Sequence, residues 1–208
     1  MDKIDVLYYI NLDYRTDRRL EFLDWVEESG FPEEKIERIQ AVSTPGRGHV
    51  GCCLSHIKTL QTFLDSSNKS CIIFEDDYQP LKVKTFWSDV GRIFDSCKEF
   101  DIVMLSYNEL KSEESEIPFL HKVSYSFTAS GFIITREFAQ VLKEFWEGGI
   151  KLLLQEEEIT KRKCDKYMND VYWMELMPIS KWYCFYPRLG IQRPSFSDLQ
   201  MHYTSYNA

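Results

Sequence analysis

The chain has 208 residues, 44% hydrophobic and 15% aromatic, with a formal net charge of −8. That length suits one domain with a full apolar core, and the acidic balance argues against nucleic acid as the main partner, because phosphate-tracking surfaces are basic. No stretch approaches the ~20 apolar residues of a membrane span, and the six cysteines show no CxxC pair and no zinc-like Cys/His spacing.

The cysteines therefore read as reduced thiols. With no signal-peptide pattern in "MDKIDVLYYINLD", the expected location is the cytoplasm, a viral or bacterial cytosolic setting included. A secretory lumen is expected only if the chain is a piece of a larger secretory protein.

In chain order, "IDVLYYINL" is a continuous β-branched and aromatic run, as expected of a buried central strand. In the helix that follows, Phe22, Leu23 and Val26 have helical spacing, and Gly30-Phe31-Pro32 is a stop signal built on a left-handed glycine. "KIERIQAV" is a second strand. After the turn "STPGRG", Val50, Cys53, Leu54, Ile57, Leu60 and Leu64 share one face of a helix.

The strand "CIIF" runs into Glu75, Asp76 and Asp77. A helix is expected over 83–97, then the strand "FDIVMLS" and a charged loop, "LKSEESEIP". "HKVSYSF" and "SGFIIT" suggest a strand pair, followed by a helix over 135–147. "EGGIKLLLQEEEITKRK" mixes charge blocks and yields no assignment. A helix near 165–177, the strand "KWYCFYP" and an irregular tail finish the chain.

Alternating strands and helices in the first half predict an α/β sheet with helices on both faces. More strand-to-strand adjacency in the second half makes that sheet mixed. Ligands in such folds sit beyond the carboxyl ends of the strands, where Asn11, the three acids and Ser106-Tyr107 all fall.

Adjacent carboxylates cost free energy unless a cation, a proton or open water compensates. At a strand end the backbone can turn and let two of the three converge on Mn²⁺ or Mg²⁺, hard ions that take carboxylates, water and phosphate oxygens. A solvated acidic turn that caps the next helix is the competing reading. A P-loop, a GxGxxG fingerprint and a phospho-aspartate motif are all absent.

"INLDYRTDRR", "GHVGCCLSH", "IIFEDD", "SGFIIT" and "KCDKYM", in this order, resemble family 25 glycosyltransferases over Ile10 to about Asp198. That family includes lipooligosaccharide galactosyltransferases and collagen-type hydroxylysine galactosyl- and glucosyltransferases. The resemblance implies a single GT-A-like domain over 1–208 with a mixed, mostly parallel sheet. Its nucleotide-binding part would be about 1–110 and its acceptor side about 111–208. It also implies a UDP-sugar donor, Mn²⁺ or Mg²⁺, and inversion at the anomeric carbon. His49 departs from the pattern, which carries an acid there.

On that resemblance, Asp76 and Asp77 are the expected metal ligands. Asn11, Arg15, Ser55, Glu75, Ser130 and Gly131 are expected around the nucleotide sugar, and His56 beside donor or metal. Packing roles compete for His56, Ser55, Ser130 and Gly131, and solvated ion pairs compete for at least two of Arg15, Arg18 and Arg19.

Inversion needs a general base on the acceptor side. Asp165 is the candidate and Asp170 the substitute, an N-cap role competing for Asp165. Arg188 and Arg193 could close over a diphosphate, and Asp198 or His202 could add a metal ligand. Trp173, Trp182, Tyr183 or Tyr186 could stack on a sugar, though core packing is expected of most.

The expected function is metal-dependent, inverting transfer of galactose or glucose from a UDP-sugar to a hydroxyl acceptor, a glycan or hydroxylated peptide. The alternative is a catalytically silent relative that binds glycan or protein; a homodimer is compatible with either.

Overall fold

The computed structural model describes residues 3–197 and 202–204. β1 (Val6–Asn11) is buried along its whole length. It leads into α1 (Thr16–Glu28), β2 (Ile36–Gln40), α2 (Gly48–Asp65), β3 (Ser70–Glu75) and the short β4 (Tyr78–Pro80). Then come α3 (Phe86–Ser96), β5 (Ile102–Met104), β6 (Asn108–Glu114), β7 (Leu120–Phe127), β8 (Gly131–Thr135) and α4 (Arg136–Thr160). The four-residue α5 (Asn169–Tyr172), β9 (Trp182–Phe185), β10 (Gly190–Gln192), β11 (Ser195–Ser197) and β12 (His202–Thr204) complete the described chain.

Eight strands form the main sheet in the order β2-β1-β3-β8-β5-β9-β7-β6. β1 pairs parallel with β2 and β3, and β5 with β9, while β8 and β7 run against their neighbours. Six of the eight strands therefore share one direction. The sheet is mixed and mostly parallel, and helices cover both faces.

Strand alternation divides the core between those faces. Val6, Tyr8 and Ile10 of β1 pack with Leu60 and Phe63 of α2 and with Leu142 and Trp146 of α4. Leu7 and Tyr9 pack on the other face with Phe22, Trp25 and Val26 of α1 and Trp87 and Ile93 of α3. With both faces dry, β1 has no use for a polar alternation, hence its unbroken apolar run. Gly30 ends α1 at φ 74°, in the left-handed region its sequence context predicts.

Five expectations change. The charged loop over 110–118 is in large part β6, an edge strand whose Glu109, Lys111 and Glu113 face solvent while Leu110 leans on the core; charge belongs on an exposed edge. The segments over 121–127 and 130–135 do not pair with each other, because β5 and β9 lie between β7 and β8.

α4 continues past 147 to Thr160. Its Gly149 is where the ring of Tyr172 lies against the helix, and a Cβ there would come within 2.6 Å of that ring. The helix near 165–177 shrinks to α5 and two 3-10 turns, and the tail forms strands, β10 pairing with β4.

Candidate active site

β3 is buried from Cys71 to Phe74, and its chain turns at Asp76-Asp77 before β4 begins. That turn breaks the strand alternation and aims the three acids at different neighbours. Asp76 accepts from the Asn11 amide at 2.7 Å and from Arg18 Nη1 at 3.0 Å. The same Arg18 nitrogen lies 3.1 Å from Asp77 Oδ2. Glu75 points toward α2, its Oε1 3.6 Å from Cys52 Sγ and 3.7 Å from His56 Nε2. Gln192 Nε2 donates at 3.3 Å to both Glu75 Oε2 and Asp77 Oδ2.

A fourth carboxyl joins them from the far end of the chain. Asp170, at the start of α5, lies near enough to raise the proton affinity of Glu75. Burial, then Asp77, Asp170 and Asp76, push the Glu75 carboxyl up to about 8. Burial and Asp77 lift Asp76 to about 6 against the pull of Arg18 and Asn11. Burial also raises Asp77 and Asp170. Among the described residues Arg18 pairs with Asp76 and Asp77, and Arg193 adds a longer-range pull on Asp77, yet burial outweighs both and the acids stay short of positive charge.

Two of its oxygens, Asp77 Oδ1 and Asp170 Oδ1, are buried without a hydrogen-bond partner. The loop beside Asp170 is strained: Thr128, β-branched, is held at φ 83°. Its hydroxyl accepts from Asn108 at 2.9 Å, and its backbone amide pulls on the Asp170 carboxylate.

The other sequence-expected residues fall into two groups. Asn11 touches the cluster, but its side chain is fully engaged, donating to Asp76 and the Arg15 carbonyl and accepting from Arg38. His56 is buried beneath the cluster, its Nδ1 3.1 Å from the Cys52 carbonyl oxygen, and burial lowers its pKa. It contacts Glu75 but reaches no open surface.

Ser55, Ser130 and Gly131 are buried in packing contacts. Ser55 donates to the Gly51 carbonyl and accepts from the Val42 amide. Ser130 Oγ bonds Ser106 Oγ at 2.7 Å in the core. A Cβ on Gly131 would come within 2.5 Å of the Tyr78 ring. Arg15 is turned to Asp17 by two hydrogen bonds, so Arg18 is the arginine that meets the acids.

Asp165 starts no helix. Its side chain is 68% exposed and pairs with Lys163 at 2.6 Å, so the substitute Asp170 is the acid that faces the cluster. Trp173 and Trp182 are core, and Tyr186 alone of the four aromatics is exposed. Arg193 reaches Asp77 through its backbone amide, and Arg188 donates to the Tyr107 carbonyl. Asp198 and the side chain of His202 lie outside the described residues. Sequence reasoning missed Gln192, which no motif marks.

No protein-family model and no curated protein matches this sequence. Solved structures do. A glycosyltransferase involved in the glycosylation of the major capsid of PBCV-1 is similar at TM-score 0.53 and 8% identity, over 90% of this chain and 92% of that one. The mannose-1-phosphate geranyltransferase from Thermus thermophilus is similar at 0.50 and 8%, over 92% and 74%. A197 from STIV is similar at 0.50 and 14%, over 99% and 95%.

The fold is GT-A-like. In this GT-A-like sheet the acids stand beyond the carboxyl end of β3, three strands in from the β2 edge. Asp76 accepts from Arg18 and Asp77 keeps one buried oxygen without a partner; carboxylate oxygens are the donors that a hard divalent cation takes.

Proposed function

We propose that this chain is a metal-dependent, inverting glycosyltransferase of the family 25 type, moving galactose or glucose from a UDP-sugar to a hydroxyl acceptor on a glycan or hydroxylated peptide. The observation that carries this reading is the charge deficit at the end of β3, where four carboxyl groups share an enclosed site and Arg18 answers two of them. Asp77 and Asp76 would hold Mn²⁺ or Mg²⁺ through the oxygens that now lack a partner or face Arg18. When bound, the ion supplies positive charge to the diphosphate of the leaving group.

The remaining work belongs to the chain's own residues. Asn11 and Arg38 fix the Asp76 carboxylate in position. Gln192 ties Glu75 to Asp77, so the strand that carries it, β10, registers the two acids against each other. Arg18, pulled between the acids and the incoming diphosphate, is placed to follow the departing negative charge. Asp170 is the general base: burial raises the proton affinity of its carboxyl, and a base of higher affinity takes a proton more readily. Tyr186, exposed and stacked at 4.1 Å on the His121 ring, is the aromatic that would meet an acceptor sugar.

Calorimetry with nucleoside diphosphates and their sugar conjugates, with Mn²⁺ and with chelator, tests this directly. Mn²⁺-dependent binding of UDP and one UDP-sugar, followed by transfer to a hydroxyl acceptor with inverted configuration, is the expected result. Binding of a different nucleotide overturns the donor. No binding of any of them overturns the enzyme.

A further inference from the structure

Behind the acid turn, on the α2 side of β3, lies a second group of donors with a different chemistry. Cys52 and His56 stand one helical turn apart on α2, and Glu75 Oε1 faces both. One ligand atom from each, sulfur, imidazole nitrogen and carboxylate oxygen, can be chosen so that all three lie within 4.8 Å of one another. The Sγ–Oε1 and Nε2–Oε1 separations are 3.6 and 3.7 Å. Tetrahedral zinc, with bonds of about 2.0–2.3 Å, sets its ligand atoms about 3.3–3.7 Å apart.

The imidazole is oriented for this task. Both ring nitrogens face backbone carbonyls, Nδ1 that of Cys52 at 3.1 Å and Nε2 that of Ala129 at 3.4 Å, and Nε2 also lies 3.7 Å from Glu75 Oε1. A backbone bond that fixes one ring nitrogen and frees the other is how metal-ligating histidines are usually held. A neutral ring has one proton for these acceptors, so in the tautomer that donates from Nδ1 the Nε2 lone pair faces two oxygens, a mismatch that a cation relieves. A fourth donor is in reach, since Asn169 Oδ1 is 3.8 Å from Cys52 Sγ.

We propose that Cys52, His56 and Glu75 form a site for a thiolate-preferring divalent ion, zinc foremost. On binding, the Cys52 thiol gives its proton to solvent as its sulfur takes the ion. A sulfur–imidazole pair selects zinc over the hard ions that oxygen donors favour. The two oxygens of Glu75 face different ways, Oε1 into this site and Oε2 toward Gln192 and the acid turn, so zinc here would clamp α2 to β3 and steady the carboxylate from behind. The proposal stands apart from the glycosyltransferase reading.

Cobalt is the probe. Co²⁺ titrated into the full chain in excess Mg²⁺ should give a thiolate-to-cobalt charge-transfer band and the visible intensity of a four-coordinate ion, both displaced by Zn²⁺. The band should vanish in Cys52→Ser and persist in Cys53→Ser and Asp77→Asn. His56→Asn should weaken cobalt by more than roughly 100-fold, since even partners behind the ligands cost 10–100-fold. Should Cys52→Ser fail to fold, alkylation mapping of the wild-type chain decides: Zn²⁺ should slow modification of the half-buried Cys52 by roughly tenfold or more.

No cobalt–thiolate band, a band that survives Cys52→Ser, or an alkylation rate indifferent to zinc overturns the site. None of these readouts needs a nucleotide, so they succeed or fail independently of glycosyl transfer.

Discussion

Two carboxylate sites in this molecule have opposite balances of charge. Glu157, on α4, accepts from His49 at 2.6 Å, from the Cys164 backbone amide at 3.0 Å and from Arg47. Burial alone would raise its pKa, but the Cys164 amide, Arg47 and His49 together bring it down to about 2. At the end of β3 the ratio is inverted, and Glu75 rises to about 8. The first site answers its own charge and closes a structural contact between α2 and α4. The second leaves charge unanswered, and that is where a ligand has something to gain.

The comparison can be broken at its functional end first. Asp77→Ala removes the orphaned oxygen, and transfer should fall by roughly 10³-fold while the circular dichroism spectrum and melting temperature stay near wild type. Survival of turnover would show that the charge deficit is not used. Asp170→Asn should cut turnover by roughly 10²–10⁴-fold with UDP binding retained, because it deletes a base and leaves the donor subsite. An equal loss in Asp165→Asn would return the role to that exposed acid.

At the balanced site, Glu157→Ala should cost about 1–3 kcal/mol of stability, read by denaturant unfolding, by stranding the Cys164 amide, His49 and Arg47. Activity per folded molecule should not change.

The smallest effect is a slope. A carboxyl raised from 4.5 to about 8 on folding holds its proton more tightly in the folded state. The contribution of Glu75 to metal-free stability is therefore greatest below pH 4.5 and is lost as the pH climbs through 8. Unfolding in chelator across about pH 4 to 9 should show that decline, and Glu75→Gln should flatten it.

Much of the fold was legible because burial leaves its mark on local sequence. The unbroken run of β1, the helical spacing of Val50 to Leu64 and the glycine stop at Gly30 each record a constraint satisfied by neighbours in the chain. The acids could be located the same way, as a polar cluster ending an apolar strand.

Their partners could not. Arg18 lies 58 residues from Asp76, and Gln192 lies 115 from Asp77. Nothing in the spacing of "DYRTDRR" says which arginine turns inward. Asp165 drew attention because it sits in a motif, yet the backbone delivers Asp170 to the cluster and leaves Asp165 paired with Lys163 in solvent. The helix expected over 135–147 stops short of Gly149, and only the Tyr172 ring packed against that glycine explains why a helix carries it.

β6 closes one side of the main sheet with Glu109, Lys111, Glu113 and Glu114 along its exposed flank. Two copies meeting there in register would set like charges against each other and strand them away from water. This flank is therefore a growth stop. At high concentration the protein should resist edge-to-edge pairing through β6, and salt that screens the flank should be the first condition to weaken that resistance.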